Sequence, residues 1–125
     1  MNKETNKASA TGFLRLVAAG EVDEAYRLYI GARFRHHNPY FPGDAEALKA
    51  AMQENALANP NKVLEIQHAL EEGDRVAVHS RIRQTPDDRG FAVVHIFRFE
   101  DGRIAESWDV GQAVPEDSPN AHGMF

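Results

Sequence analysis

Three observations predict an α+β fold. Helical periodicity is confined to the residues before Pro60, alternating periodicity runs from there to about Val114, and the alternating runs are joined by short turns. Three helices can cover only one face of the antiparallel sheet that such turns favour, so the expected shape is a half-open cone. At 125 residues there is room for one domain, expected over residues 11–125.

Residues 1–10 carry no hydrophobic period and are expected as a flexible N-terminal arm. From Thr11, a residue suited to N-capping, Phe13, Leu14 and Val17 share a helical face, and Gly20 stands where a left-handed residue would end the helix. Val22, Ala25, Tyr26 and Tyr29 repeat the i, i+3, i+4, i+7 spacing, with Gly31 as the stop. The stretch Phe34 to Gly43, FRHHNPYFPG, holds two prolines and an Asn-Pro step, which forbid a continuing helix and predict a structured loop. Asp44 suits the cap of a third helix, whose apolar stripe is Leu48, Ala51, Met52 and Ala56, and Asn59-Pro60 ends it. Four strands follow, at about Val63 to Glu71, Arg75 to Gln84, Gly90 to Glu100 and Arg103 to Ala113, with EEGD, TPDDR and DG turns between them.

Composition narrows the function. With 14 Lys+Arg against 19 Asp+Glu the net charge is 14 − 19 = −5, and no basic cluster offers a face to nucleic acid or to an anionic membrane. Without cysteine, a disulfide framework, a thiol nucleophile and a Cys-ligated zinc are excluded. The opening MNKETNKASATG lacks the apolar stretch of a signal peptide, and no segment approaches the ~20 apolar residues that span a bilayer, so the expected location is cytoplasmic. The partner expected is a small, mostly apolar molecule.

The third strand, FAVVHIFRF, sets Phe91, Val93, His95, Phe97 and Phe99 on one face. An imidazole among aromatics has its charged form disfavoured, so His95 is either a neutral base or hydrogen-bond partner, or a core histidine satisfied by a carbonyl. In the fourth strand, RIAESWDVGQ, alternation puts Ala105, Ser107 and Asp109 on one face and Ile104, Glu106, Trp108 and Val110 on the other. The hairpin register decides which acid meets His95. A three-residue Glu100-Asp101-Gly102 loop sets His95 opposite Ser107 and Val93 opposite Asp109, making Asp109 a diagonal neighbour of His95. A two-residue Asp101-Gly102 turn sets His95 opposite Trp108 and turns Asp109 away. The first is favoured; apart from the register, the other role open to Asp109 is that of a solvated or Arg-paired strand carboxylate.

Adjacent His36 and His37 point to opposite sides of an extended segment, so at most one enters a pocket, and His37-Asn38-Pro39 is the more constrained. His79 alternates with Ala77 and Arg81, which leaves its direction open, while His68 and His122 carry no signal beyond their type. No H-x-H pair on a strand or H-E-x-x-H on a helix is present, so no metal is expected, though a site gathered from His37, His79 and His95 stays open. Ser80 and Ser107 lack a G-x-S-x-G elbow, and no phosphate-binding glycine loop or dinucleotide fingerprint occurs. General acid/base chemistry without a cofactor survives.

The residues VVHIFRFEDGRIAESWDVGQ, with HHNPYFPG upstream and the tail PNAHGMF, resemble the SnoaL-like polyketide cyclase and aldol-condensation family of the nuclear transport factor two-like superfamily. That resemblance covers about Phe13 to Phe125. It implies a cystatin-like α+β barrel, a cone-shaped antiparallel sheet wrapped around the helices with a deep apolar pocket, and homodimers paired through the sheet face bearing Val94, Ile96 and Trp108. It further implies a cofactor-free cyclase or isomerase in which Asp109 moves the proton and His95 orients it or holds the oxyanion. His37 and Asn38 match the family's pocket-lining loop, and Tyr40, His79, Phe97 and Trp108 complete the candidate ligand-binding set. The superfamily also hosts non-catalytic modules, so a small-ligand binding or dimerisation module is the second expectation. The tail is expected over the pocket mouth or on a partner subunit.

Overall fold

The first helix of the computed structural model, which describes residues 4–125, begins earlier than Thr11. Helix α1 spans Asn6–Ala18, and the Thr5 side chain caps it by accepting the Ala8 N–H at 3.0 Å. Thr11 instead donates to the carbonyls of Lys7 and Ala8 from inside the helix. The earlier start is driven by burial, since Ser9 and Ala10 are covered and would be wasted in an arm. Of the arm expected over 1–10, residues 1–3 lie outside the described residues. Gly20 ends α1 as expected: with φ 85° it lets Glu21 N–H reach the Leu16 carbonyl at 2.8 Å and its own N–H reach Val17 at 3.0 Å, a Schellman stop.

Helix α2 spans Val22–Tyr29 and passes without a turn into a strand, β1, Ile30–His36. This strand corrects the reading of Gly31 as a helix stop and of Phe34 onward as loop alone. Gly31 lies within β1, where an added Cβ would stand 3.3 Å from the Ile104 carbonyl oxygen. Helix α3 spans Ala45–Ala58; Asp44 holds the N-cap position without a side-chain cap bond. Strands β2 (Val63–Glu72), β3 (Arg75–Arg83), β4 (Phe91–Glu100) and β5 (Arg103–Ala113) match the four alternating runs.

The sheet order is β1-β5-β4-β3-β2, with β1 parallel to β5 and every other pair antiparallel. The sheet is therefore mixed rather than wholly antiparallel, and it remains curved and unclosed around the three helices. The α+β class stands. The helices lie on its inner face, where Phe13 meets Tyr26 and Phe97 edge-on at centroid distances of 5.8 and 5.9 Å. Phe97 is 2% exposed and Val76, Val78 and Ile104 are fully buried; each such side chain contributes about 1.5–3 kcal/mol relative to exposure. Among the described residues no helix is long and apolar enough to cross a membrane.

The tail folds back on the outer face of the sheet. Phe125 stacks on His79 at 5.9 Å, with the Arg81 guanidinium 5.2 Å from its ring centroid. It covers this chain's own sheet and not the mouth of the inner cavity.

Candidate functional site

The β4–β5 hairpin departs from both registers drawn from the sequence. Asp101 (φ 51°) and Gly102 (φ 78°) form a two-residue turn, with Glu100 opposite Arg103 and Phe99 opposite Ile104. The next pair is Arg98 with Glu106, so Ala105 is an extra residue, a β-bulge. A two-residue turn alone would have set His95 opposite Trp108; the bulge advances β5 by one and sets His95 directly opposite Asp109. The diagonal placement expected from a three-residue loop is thereby corrected to a facing pair, while Ser107 lies opposite Phe97. Facing residues of an antiparallel pair have Cβ atoms ~4.5–5.5 Å apart, so the imidazole and the carboxylate share one spot on the inner face.

They open on an apolar cavity of about 270 Å³ between the sheet and α3, walled by Phe34, Phe41, Met52, Val93 and Phe97. The His95 ring lies parallel to Phe97 at 5.8 Å, and its buried Nδ1 has no hydrogen-bond partner among the described residues. Desolvation holds the imidazole below its ordinary pKa, and the Asp109 charge opposes that only in part, so the ring is neutral at physiological pH.

Asn38 completes the group. Its amide Nδ2 donates to Asp109 Oδ1 and Oδ2 at 3.3 and 3.4 Å. The side chain is held by its own loop, since Asn38 Oδ1 accepts the Tyr40 N–H at 3.0 Å. The Asn38 N–H donates to His36 Nδ1 at 3.1 Å, while His36 Nε2 donates to the Pro42 carbonyl at 2.7 Å. A neutral ring protonated on Nε2 satisfies both bonds. His36, 5% exposed on the inner side of β1, is thus the inward histidine and shapes the loop.

His37 points the other way, correcting its assignment to the pocket. On the outer face its Nε2 donates to Glu106 at 2.6 Å and its ring stacks on Trp108 at 5.1 Å. Arg35 Nε and Arg98 Nε also donate to Glu106, at 3.0 and 3.1 Å. These donors, Arg35 and His37 foremost, hold the Glu106 carboxyl down to about 2. Trp108 and His79 belong to the same outer face, His79 stacked between His68 and Phe125. The two acids of β5 therefore do different work: Glu106 ties the outer face together and Asp109 faces the cavity.

Of the candidate ligand-binding residues, Asn38 and Phe97 join His95 and Asp109 at the cavity. Tyr40, 85% exposed, lines an adjoining hollow of about 440 Å³ that shares Ile82, Val93 and Asp109 with it. His37, His79 and Trp108 do not reach it. With His37 and His79 outside and His95 inside, the three histidines gather no metal site, and among the described residues no other cluster of three His, Asp or Glu does. Two cavity residues escaped the sequence reading, Asn55 on α3 and Lys62 before β2, because neither belongs to a motif or an amphipathic pattern.

The fold is a half-open α+β cone in which one carboxylate, one neutral imidazole and the Asn38 amide converge at an apolar cavity. Residues 10–107 match the SnoaL-like domain, and the chain belongs to that family. No curated protein matches it. Among solved structures it is similar to a candidate polyketide cyclase of Bacillus cereus, with TM-score 0.72, 27% identity, and 86% of this chain and 74% of that one covered. It is likewise similar to IdmH, a candidate polyketide cyclase of Streptomyces antibioticus, with TM-score 0.70, 20% identity, and 86% and 92% covered. An NTF2-like protein of Cytophaga hutchinsonii gives TM-score 0.73 at 14% identity, with 89% and 93% covered.

Proposed function

We propose that the chain is a cofactor-free acid/base enzyme, a cyclase or isomerase that removes a proton α to a carbonyl of a small, mostly apolar compound. The observation that carries this reading is the facing Asp109–His95 pair at the cavity, with the Asn38 amide on the carboxylate. In the proposed step the Asp109 carboxylate takes the proton of the α C–H bond, and the electron pair moves to the carbonyl oxygen. A neutral His95 N–H donates to that oxygen as charge gathers on it. A neutral donor suits the task because it stabilises the enolate without surrendering its proton first. The enolate carbon then attacks a second carbonyl of the same molecule: the C–C bond of an aldol closure forms, the π pair of the attacked C=O passes to its oxygen, and that oxygen takes the proton back from Asp109; in an isomerisation Asp109 instead returns the proton to another carbon. Asn38, held by its own loop, is a positioning residue for the carboxylate.

The cavity volume suits one or two rings more than four, since pockets for drug-sized ligands run to about 300–1,000 Å³. Closure would require mainly that the walls fold the chain of the substrate into the reactive shape. A homodimer paired through the outer face is part of the proposal, supported by Ile96, Trp108 and Val110 on that face. So is a cytoplasmic location, supported by the cysteine-free composition.

The test is deuterium exchange at the α carbons of 2-tetralone, followed by proton NMR. Wild type is expected to exceed the Asp109→Asn variant by about a hundredfold or more, the range of a positioned general base. Exchange no faster than in buffer would leave a ligand-binding module without catalysis, and equal exchange in the variant would remove Asp109 from the mechanism.

A further inference from the structure

The acid/base step leaves the other end of the cavity wall unexplained. Lys62 lies just before β2, beyond the Leu64–Ile82 and Ile82–Phe91 pairs, while the Asp109–His95 pair lies four residues deeper along β4, with Val78 as its β3 neighbour. Its ammonium has no carboxylate within ion-pair distance among the described residues, although most other basic side chains of the sheet are paired or hydrogen-bonded. The Asn55 side-chain oxygen, which lines the same cavity, is buried without a partner among the described residues. The Asn55 backbone carbonyl is already taken by the N–H of Asn59 at 2.9 Å and its side-chain amide at 3.1 Å.

Partial burial takes some of the hydration from the Lys62 ammonium and lowers its pKa, with no carboxylate within ion-pair distance among the described residues to offset the loss. An orphaned amide oxygen carries a cost of the same kind. A ligand with an anion for the first and a hydroxyl for the second would relieve both. Asp109 does not serve as the counter-ion: it makes no ion pair with Lys62, standing opposite His95 four residues along β4 from Phe91, with its carboxylate bonded by Asn38.

We propose that Lys62 and Asn55 form an anion-recognising end of the cavity, and that the substrate is a carboxylate-bearing carbonyl compound whose acid group is held by Lys62. A hydroxyl on the same ligand donates to Asn55. The word substrate rests on the acid/base reading above; anion recognition stands without it. A carboxylate suits a single ammonium, whereas a phosphate dianion would call for more than one cation.

Binding of 2-naphthoate and of its neutral counterpart 2-acetylnaphthalene, measured by calorimetry, tests the assignment. Wild type is expected to hold the carboxylate about tenfold more tightly than the ketone, as a charge-assisted pair in a partly dry site would. Lys62→Met is expected to abolish that preference and Lys62→Arg to keep most of it, with circular dichroism showing both folded. No preference in wild type, including no binding of either probe at millimolar concentration, overturns the proposal, as does a preference that survives in Lys62→Met. The 2-tetralone exchange assay reports on Asp109 separately: an intact Lys62-dependent preference without exchange supports this proposal while removing the catalytic one.

Discussion

The two faces of the sheet carry similar groups arranged to opposite ends. Outside, Glu106 is held by Arg35, Arg98 and His37 through four bonds of 2.6 to 3.3 Å. Inside, among the described residues, Asp109 has only the amide contacts from Asn38 at 3.3 and 3.4 Å, and His95 has an unpartnered nitrogen. A satisfied carboxylate stabilises; an under-satisfied one opposite an idle imidazole keeps its capacity for a ligand. The two stand three residues apart on β5, an odd spacing that sends them to opposite faces, so residue type alone does not distinguish an acid tied into ion pairs from one left facing a cavity.

The largest expected effect breaks that comparison at its centre. Asp109→Asn should lower α-proton exchange by about a hundredfold or more while leaving the denaturant midpoint close to wild type. Glu106→Gln should do the reverse, costing about 2 kcal/mol in urea unfolding because Arg98 and its neighbours lose a charged acceptor, with exchange little altered.

Acid sharpens the contrast further. With its folded-state pKa held near 2, below the ordinary 4.5, Glu106 contributes stability that is present above pH 4.5 and lost as pH falls toward 2. Urea midpoints between pH 2 and 6 should therefore fall in wild type and flatten in Glu106→Gln. His95 acts in a higher window: its lowered pKa means the unfolded chain takes a proton first, so its share of stability begins to fade as pH drops below 6.5. An NMR titration should find the His95 ring still neutral where an ordinary histidine is half charged.

Smaller effects test the supports. Asn38→Ala should slow exchange about tenfold by freeing the Asp109 carboxylate to turn, an effect on rate more than on binding. His37→Ala should change exchange less than about twofold, since its ring lies on Trp108 on the far face; a larger loss would return it to the site.

Much of this was legible in the chain. Gly20 announced the end of α1, the alternation after Pro60 announced the strands, and Phe97 and His95 shared a predicted face that the structure keeps. Strand β1 was hidden because it is an edge strand with exposed Arg33 and Arg35 and a glycine, and its partner lies about seventy residues away. The direction of His36 and His37 was hidden for the same reason: adjacent strand residues alternate, but only the pairing of β1 with β5 says which goes in.

Local chemistry thus determined what can be read from a few neighbouring residues: the class α+β, the Gly20 stop, the places of the turns between strands, the apolar stripes, and the presence of an acid and an imidazole near one hairpin. The tertiary structure alone decided which acid met the imidazole. A single extra residue, Ala105, moves every later pairing on β5 by one, and its place depends on how Ile104 and Glu106 are accommodated by β1, β4 and the core together. It also decided that Lys62 and Asn55 share a wall with Asp109, because a cavity is assembled from residues distant in sequence and its lining carries no period for the sequence to show.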